Sequence, residues 1–141
     1  IYLGTLLREQ NQPQQAAQVL QEGRQKFEAG LNTPQKAEWL ALLRYHHGVA
    51  LFEFNKVPEA RQAFEQAAQA APALPVAVEA LLRGGQCQVE EQKRKIAELE
   101  KQRSQPNLKP DQVANFENQI KNEKQNLANI AKLLEQRAEE Q

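Results

Sequence analysis

Four prolines, Pro13, Pro34, Pro58 and Pro110, each follow a short polar run and precede a long stretch without a breaker. Proline suits the first turn of a helix, where its missing N–H has no intrahelical partner to lose. This punctuation cuts the chain into helices. Residues Ile1 to Glu9 form a short first helix with Leu3, Leu6 and Leu7 on one face, closed by Gln10-Asn11-Gln12. From Pro13 to about Gly30, Ala16, Val19, Leu20, Gly23 and Phe27 recur at three-to-four spacing and give one apolar stripe. Asn32-Thr33 reads as a cap before Pro34, and the absence of a breaker before Asn55 predicts a helix of about 21 residues, roughly six turns. Apolar residues point almost all round that helix, with Trp39, Leu42, Val49 and Phe52 on one side and Leu40, Leu43, Ala50, Leu51 and Phe54 on the other, so it must be covered on two sides. Pro58 opens a further helix that buries Ala60, Phe64, Ala67 and Ala68 and stops before Pro72.

Alanine, glutamine, leucine, glutamate and lysine dominate, while glycine and aromatics are sparse; the composition favours helix and supplies few strand formers. The fold class is all-α. Eighteen basic side chains balance eighteen acidic ones. No global field gathers phosphate backbone or an anionic membrane surface, which leaves nucleic acid outside the expected partners. No apolar run approaches the roughly 18 residues that cross a bilayer, so no membrane insertion is expected. The chain has no methionine and begins inside an apolar helical pattern, Ile1-Tyr2-Leu3; it reads as a segment of a longer protein. Its single cysteine, Cys87, forms no internal disulfide and sets no compartment.

From Val76 to about Arg103 no proline intervenes, and Gly84-Gly85 is the one local weakness. Leu82, Gly85, Val89, Gln92, Ile96, Leu99 and Arg103 step by three and four alternately, and Val113, Phe116, Ile120, Glu123, Leu127, Ile130, Leu134 and Arg137 do the same after the loop 104–109. A short loop joins antiparallel neighbours. The two seams are therefore expected to face each other, with Leu99 near Val113, Ile96 near Phe116 and Gly85 near Leu127, in a coiled-coil-like hairpin about 40 Å long at 1.5 Å per residue. Leu108 and Val113 are placed to form a hydrophobic staple at the start of its second helix. Gln92 and Glu123 are polar inside the seams, where such residues fix register at a cost in stability. The charged runs 90–95 and 98–103 mix signs at helical spacing and read as a solvated face.

The chain also repeats itself. From Gly48 the sequence reaches Leu51, Ala60, Phe64, Ala67 and Pro72; from Gly4 the same steps reach Leu7, Ala16, Leu20 and Gly23, and miss only at the last, Glu28. This pattern resembles the tetratricopeptide repeat, in which small residues sit where two helices cross and a large apolar residue fills the wedge between them. The match departs from the family in its spacing: Gly4 and Gly48 stand 44 residues apart, against a period of roughly 34, so about ten extra residues lengthen the central helix at its start. Arg44 also stands where a large aromatic is expected. The resemblance implies about two and a half units: 1–30, then 31–75, then a third first-helix in 76–141 that runs on into the long hairpin because Glu90-Glu91-Gln92-Lys93-Arg94-Lys95 offers no turn.

For function, the resemblance implies a protein–protein interaction scaffold whose first helices line a concave groove for a protein or peptide. The family's groove positions fall on Tyr2 and Thr5, on Tyr45, His46, Val49, Phe52 and Glu53, and on Arg83 and Gln86. The basic-and-asparagine set with which some members clamp a peptide carboxylate is missing. The alternative is a structural module that assembles copies through the long hairpin. The start of the third unit, Ala80-Leu81-Leu82-Arg83-Gly84-Gly85-Gln86-Cys87, is similar to bacterial cell-envelope repeat proteins and suggests an extracytoplasmic site.

Chemistry-bearing residues fit this non-enzymatic reading. His46 and His47 are neighbours on one helix and point about 100° apart, whereas two histidines sharing an ion on a helix need i,i+4 spacing. His47 is expected to face the partner helix and to need a hydrogen bond there, with His46 turned toward the groove. Ser104, the only serine, lies in a loop with no placed base, and Gly84-Gly85 interrupts a helix instead of following a strand, so neither a hydrolase nor a phosphate-loop site is expected. Cys87 reads as a small buried hydrophobe, although Arg83 one turn earlier is placed to activate it as a thiol. No cofactor or metal is expected.

Overall fold

A computed structural model describes residues 1–140. These residues form α1 (Tyr2–Glu9), α2 (Pro13–Leu31), a 3₁₀ turn (Pro34–Lys36), α3 (Ala37–Glu53), α4 (Val57–Ala70), α5 (Pro75–Arg103) and α6 (Pro110–Glu139), with no strand among them. Two compact units emerge, Ile1–Cys87 and Gln88–Gln141, and α5 contributes residues to both.

In the first unit, consecutive helices pack on one another: α1 on α2, α2 on α3, α3 on α4, with α1 also touching α3. The turn from α1 to α2 and the turn from α3 to α4 are built alike. In the first, Asn11 takes φ 58° and the Gln12 N–H donates to the Leu7 carbonyl at 2.9 Å. In the second, Asn55 takes φ 67° and the Lys56 N–H donates to the Leu51 carbonyl at 2.8 Å. Asparagine tolerates this left-handed backbone better than other side-chain-bearing residues, which is why it ends each helix. Asn107, at φ 71°, takes the same left-handed backbone within the loop between α5 and α6.

Two apolar clusters fill this unit. Ala16, Ala17, Leu20, Leu43 and Ala50 form one, with Leu7, Leu31 and Leu51 against it. Val49, Val57, Ala60, Phe64, Ala67, Ala68, Ala77, Ala80 and Cys87 form the other, with Tyr45 and Leu51 against it. Alanine at so many core positions lets the helix axes approach closely, and Leu20 and Phe64 are the large side chains that fill the remaining space.

Three expectations need correction. The central helix is shorter than its breaker-free stretch: Pro34–Lys36 is a 3₁₀ turn closed by the Lys36 N–H on the Thr33 carbonyl, and the α-helix has 17 residues. Thr33 makes no side-chain capping bond, so nothing holds the first turn in α geometry. Phe27, assigned to the buried stripe of α2, is 60 % exposed, and so is Trp39 on α3.

In the second unit α5 continues without interruption to Arg103, and α6 returns antiparallel to it after the loop. Ile96 and Ile120 are its buried side chains. Gln92 and Glu123, the two polar seam residues, meet: the Gln92 amide donates to the Glu123 backbone carbonyl at 3.0 Å and also to its carboxylate. Lys95 adds an ion pair to Glu123 at 3.2 Å. The start of α6 is fixed by the Lys109 N–H donating to Gln112 Oε1 at 2.9 Å. No helix among the described residues is long and apolar enough to cross a membrane.

Candidate functional site

Val49, Phe52 and Glu53 on α3 and Arg83 and Gln86 on α5 line one cavity of about 200 Å³, whose remaining wall is Phe64 from α4. Five of the nine groove positions thus converge. The three α3 residues share a face because they are spaced by three and four, and the α5 pair sits three apart for the same reason. Phe64 enters the wall because it is the large wedge between α3 and α4; in the sequence only its packing role is legible.

Tyr45 flanks the cavity. Its ring lies against Phe64 at 5.6 Å between centroids, and its hydroxyl donates to the Glu79 carboxylate at 3.4 Å. Burial raises the Tyr45 pKa, the charge of Glu79 adds to this, and Arg83 opposes it. His46 sits edge-on to Tyr45 at 5.5 Å, half-buried, with its Nδ1 enclosed and without a protein hydrogen-bond partner. Burial, and after it the positive charge of Arg8, lowers its pKa and keeps the ring neutral at pH 7. Tyr2 and Thr5 stand apart on α1. Tyr2 is 82 % exposed, and the Thr5 hydroxyl donates back to the Ile1 carbonyl at 2.9 Å.

Ion pairs hold the charged walls in place. Arg8 grips Glu53 through Nε at 3.1 Å and through a terminal nitrogen at 2.8 Å, tying α1 to α3. Arg83 Nε donates to Glu79 at 3.2 Å, one turn away on α5. A single sequence gives no sign of the Arg8–Glu53 contact, since the partners are far apart in the chain and each looks like an ordinary surface residue.

His47 faces a different place. It is 7 % exposed and packs toward α2, where Arg24 donates from a terminal nitrogen to Nδ1 at 3.1 Å. This fixes the hydrogen on Nε2, which is enclosed without a protein partner. Arg24 also donates through Nε to Glu28 at 2.9 Å and through its other terminal nitrogen to the Gln66 side chain. Arg44 completes the network, donating to Glu28 at 2.6 Å and to the Gln66 carbonyl at 3.0 Å. Arg44, which replaces the expected aromatic, therefore joins α2, α3 and α4 by polar bonds where packing would otherwise do so. Burial pushes the His47 pKa down to about 4, helped by Arg24 and opposed by Glu28. At Glu28 burial acts upward, but the bonds and charges of Arg44 and Arg24 outweigh it and hold the carboxyl below its ordinary value. The cavity beside this network, about 360 Å³, is walled mainly by polar side chains, Gln21, Gln25, Glu59 and Gln62 beside the network's own residues.

Cys87 is fully buried in the core around Phe64. Among the described residues no three His, Cys, Asp or Glu side chains converge in a way suited to an ion. Comparison with protein-family models, with curated proteins and with solved structures finds no match to this chain.

Proposed function

We propose that this protein is a non-enzymatic interaction module: a short tetratricopeptide-like array of about two and a half units that binds a protein or peptide through the cavity between α3 and α5, followed by a coiled-coil-like hairpin. The single observation that supports this best is the convergence of Val49, Phe52, Glu53, Arg83 and Gln86 on one hollow. Its volume is below the about 300–1,000 Å³ of clefts that enclose a drug-sized molecule. It suits one anchoring side chain of a larger ligand. Val49, Phe52 and Phe64 offer that side chain an apolar bed, while Gln86 and Arg83 stand beside it to bond a peptide backbone. The repeat reading is supported further by the two like-built turns at Asn11 and Asn55 and by the glycines Gly4 and Gly48, each lying under a large side chain of the following helix.

The test is selection of peptides from a random displayed library on the full chain, followed by titration of the winners. Binding that weakens about tenfold or more in Phe52→Ala, with amide shifts centred on Val49, Phe52 and Arg83, supports the groove. Winners that bind Phe52→Ala and Tyr45→Ala as tightly as the parent, with shifts confined to α6, overturn it in favour of a module that acts through the hairpin.

A further inference from the structure

We propose that the cavity over His47, between α2 and α4, is a binding site for a small uncharged polyhydroxyl molecule of monosaccharide or disaccharide size. Both helices pack on α3, and steps of three and four bring one face of each to the opening: Gln21, Gln25 and Glu28 on α2, and Glu59, Gln62 and Gln66 on α4. Between them α3 supplies His47 and, one turn on, Leu51. The hollow, about 360 Å³, lies at the small end of the roughly 300–1,000 Å³ of clefts that hold small ligands. None of its residues lines the α3–α5 cavity, so this site and the peptide groove stand or fall separately.

His47 is what separates this hollow from an ordinary solvated groove. The residue is 7 % exposed and stands in the cavity wall. Arg24, which can only donate, takes Nδ1 as its acceptor, so the ring is neutral and its hydrogen sits on Nε2. That N–H is enclosed and has no partner in the protein, whereas buried donors are nearly always matched. It asks for an acceptor oxygen.

Charge decides which kind of molecule brings that oxygen. Arg24 and Arg44 both bond Glu28, and a second carboxylate, Glu59, stands on the α4 side. The four charges cancel, and a ligand carboxylate or phosphate would crowd a carboxylate that both guanidiniums already hold. An uncharged ligand fits. The groups that meet it are of both kinds: His47 Nε2 donates, Glu59 accepts, and the exposed amides of Gln21, Gln25 and Gln62 do both. Neighbouring hydroxyls suit this mixture, because each one donates, accepts and rotates to its partner. Leu51 and Ala63 give the C–H face of a ring an apolar bed.

The test is NMR titration of the isotope-labelled full chain with trehalose and with myo-inositol, beside propionamide, a carbonyl acceptor without hydroxyls, and sodium acetate. The expected result is a saturable shift of the His47 Nε2 signal and of the Gln25 and Gln62 side-chain amides with at least one polyol, and none with the other two probes. Gln62→Leu, at an exposed position that leaves the core intact, weakens binding about three- to tenfold, the loss of one hydrogen bond. Phe52→Ala leaves it unchanged. The proposal is overturned by no saturable shift with either polyol, by an equal shift with propionamide or acetate, or by undiminished binding in Gln62→Leu. A His47 Nε2 signal that stays still while surface amides move also overturns it.

Discussion

The Phe64 ring covers Gly48 so closely that a β-carbon on that residue would lie 2.8 Å from Cε1 and 2.9 Å from Cδ1. Leu20 covers Gly4 in the same way, with its Cγ at 2.7 Å. Alanine ordinarily stabilises a helix by about 1 kcal/mol over glycine. Gly48→Ala should instead cost about 1–3 kcal/mol, because a buried aromatic wedge has nowhere to move. Adding Phe64→Leu should recover part of that loss, so the double variant is more stable than the sum of the singles. Gly23→Ala, with only Leu43 Cδ1 in ordinary contact, should be neutral or slightly stabilising. Urea unfolding of the four variants decides it; equal responses at Gly48 and Gly23 would show that the close approach has no energetic weight.

What the sequence made legible is what periodicity encodes. The glycine-to-large-residue step of 16, from Gly4 to Leu20 and from Gly48 to Phe64, is readable because close helix crossings demand a small residue opposite a large one. Gln92 and Glu123 were legible as polar seam residues, but the register that sets Ile96 near Phe116 and Gly85 near Leu127 places Gln92 beside Ile120 and Glu123 beside Val89, so their meeting was not. The polar fastenings were not readable. Arg24, Arg44, His47 and Gln66 come together from three helices, and nothing in one sequence pairs a given arginine with a given carboxylate. The missed exposure of Phe27 and Trp39 has a different cause: each continues an apolar stripe, but a stripe's spacing does not say which neighbour covers it, and none of the described residues buries these two.

Acid should weaken the first unit through His47. Its pKa is about 4 in the folded chain against about 6.5 unfolded, so the unfolded state binds the extra proton across that window. Stability is full above pH 6.5 and is lost as pH falls toward 4, by on the order of 3 kcal/mol. Glu28, held below its ordinary value of 4.5, acts in the same direction but only at lower pH, as its bonds to Arg44 and Arg24 are protonated away. His47→Gln keeps an acceptor for Arg24 and removes the titration. Urea midpoints measured from pH 7 to 5 should fall in the parent and stay nearly level in the variant; parallel slopes would refute the assignment.

The Arg8–Glu53 pair should matter more to α1 than to global stability. Its side chains are partly exposed, 23 % and 38 %, and such pairs contribute about 0.2–1 kcal/mol. Because α1 is short and packs at the edge of the unit, that amount is a large share of what holds it down. Arg8→Ala should leave the urea midpoint nearly unchanged while amide exchange in α1 quickens severalfold relative to α3. A double-mutant cycle with Glu53→Ala should give a coupling near 0.5 kcal/mol that shrinks in high salt.

The hairpin makes the opposite trade at Gln92 and Glu123. The Gln92 amide bonds Glu123 twice, and these bonds with Lys95 hold the Glu123 carboxyl below its ordinary value. Two polar groups one turn beyond the buried Ile96 and Ile120, on the side away from the loop, lower stability but admit one register, because sliding α6 by a turn would leave both unmatched. Replacing both residues by leucine should raise the unfolding temperature while loosening the alignment. Spin labels on cysteines introduced at the exposed Lys93 and Lys121 can read this, since native Cys87 is fully buried. A single narrow distance distribution is expected in the parent and a broader or split one in the Gln92→Leu, Glu123→Leu variant. If the variant is more stable and equally narrow, the apolar seam alone sets the register and the polar pair is only a cost.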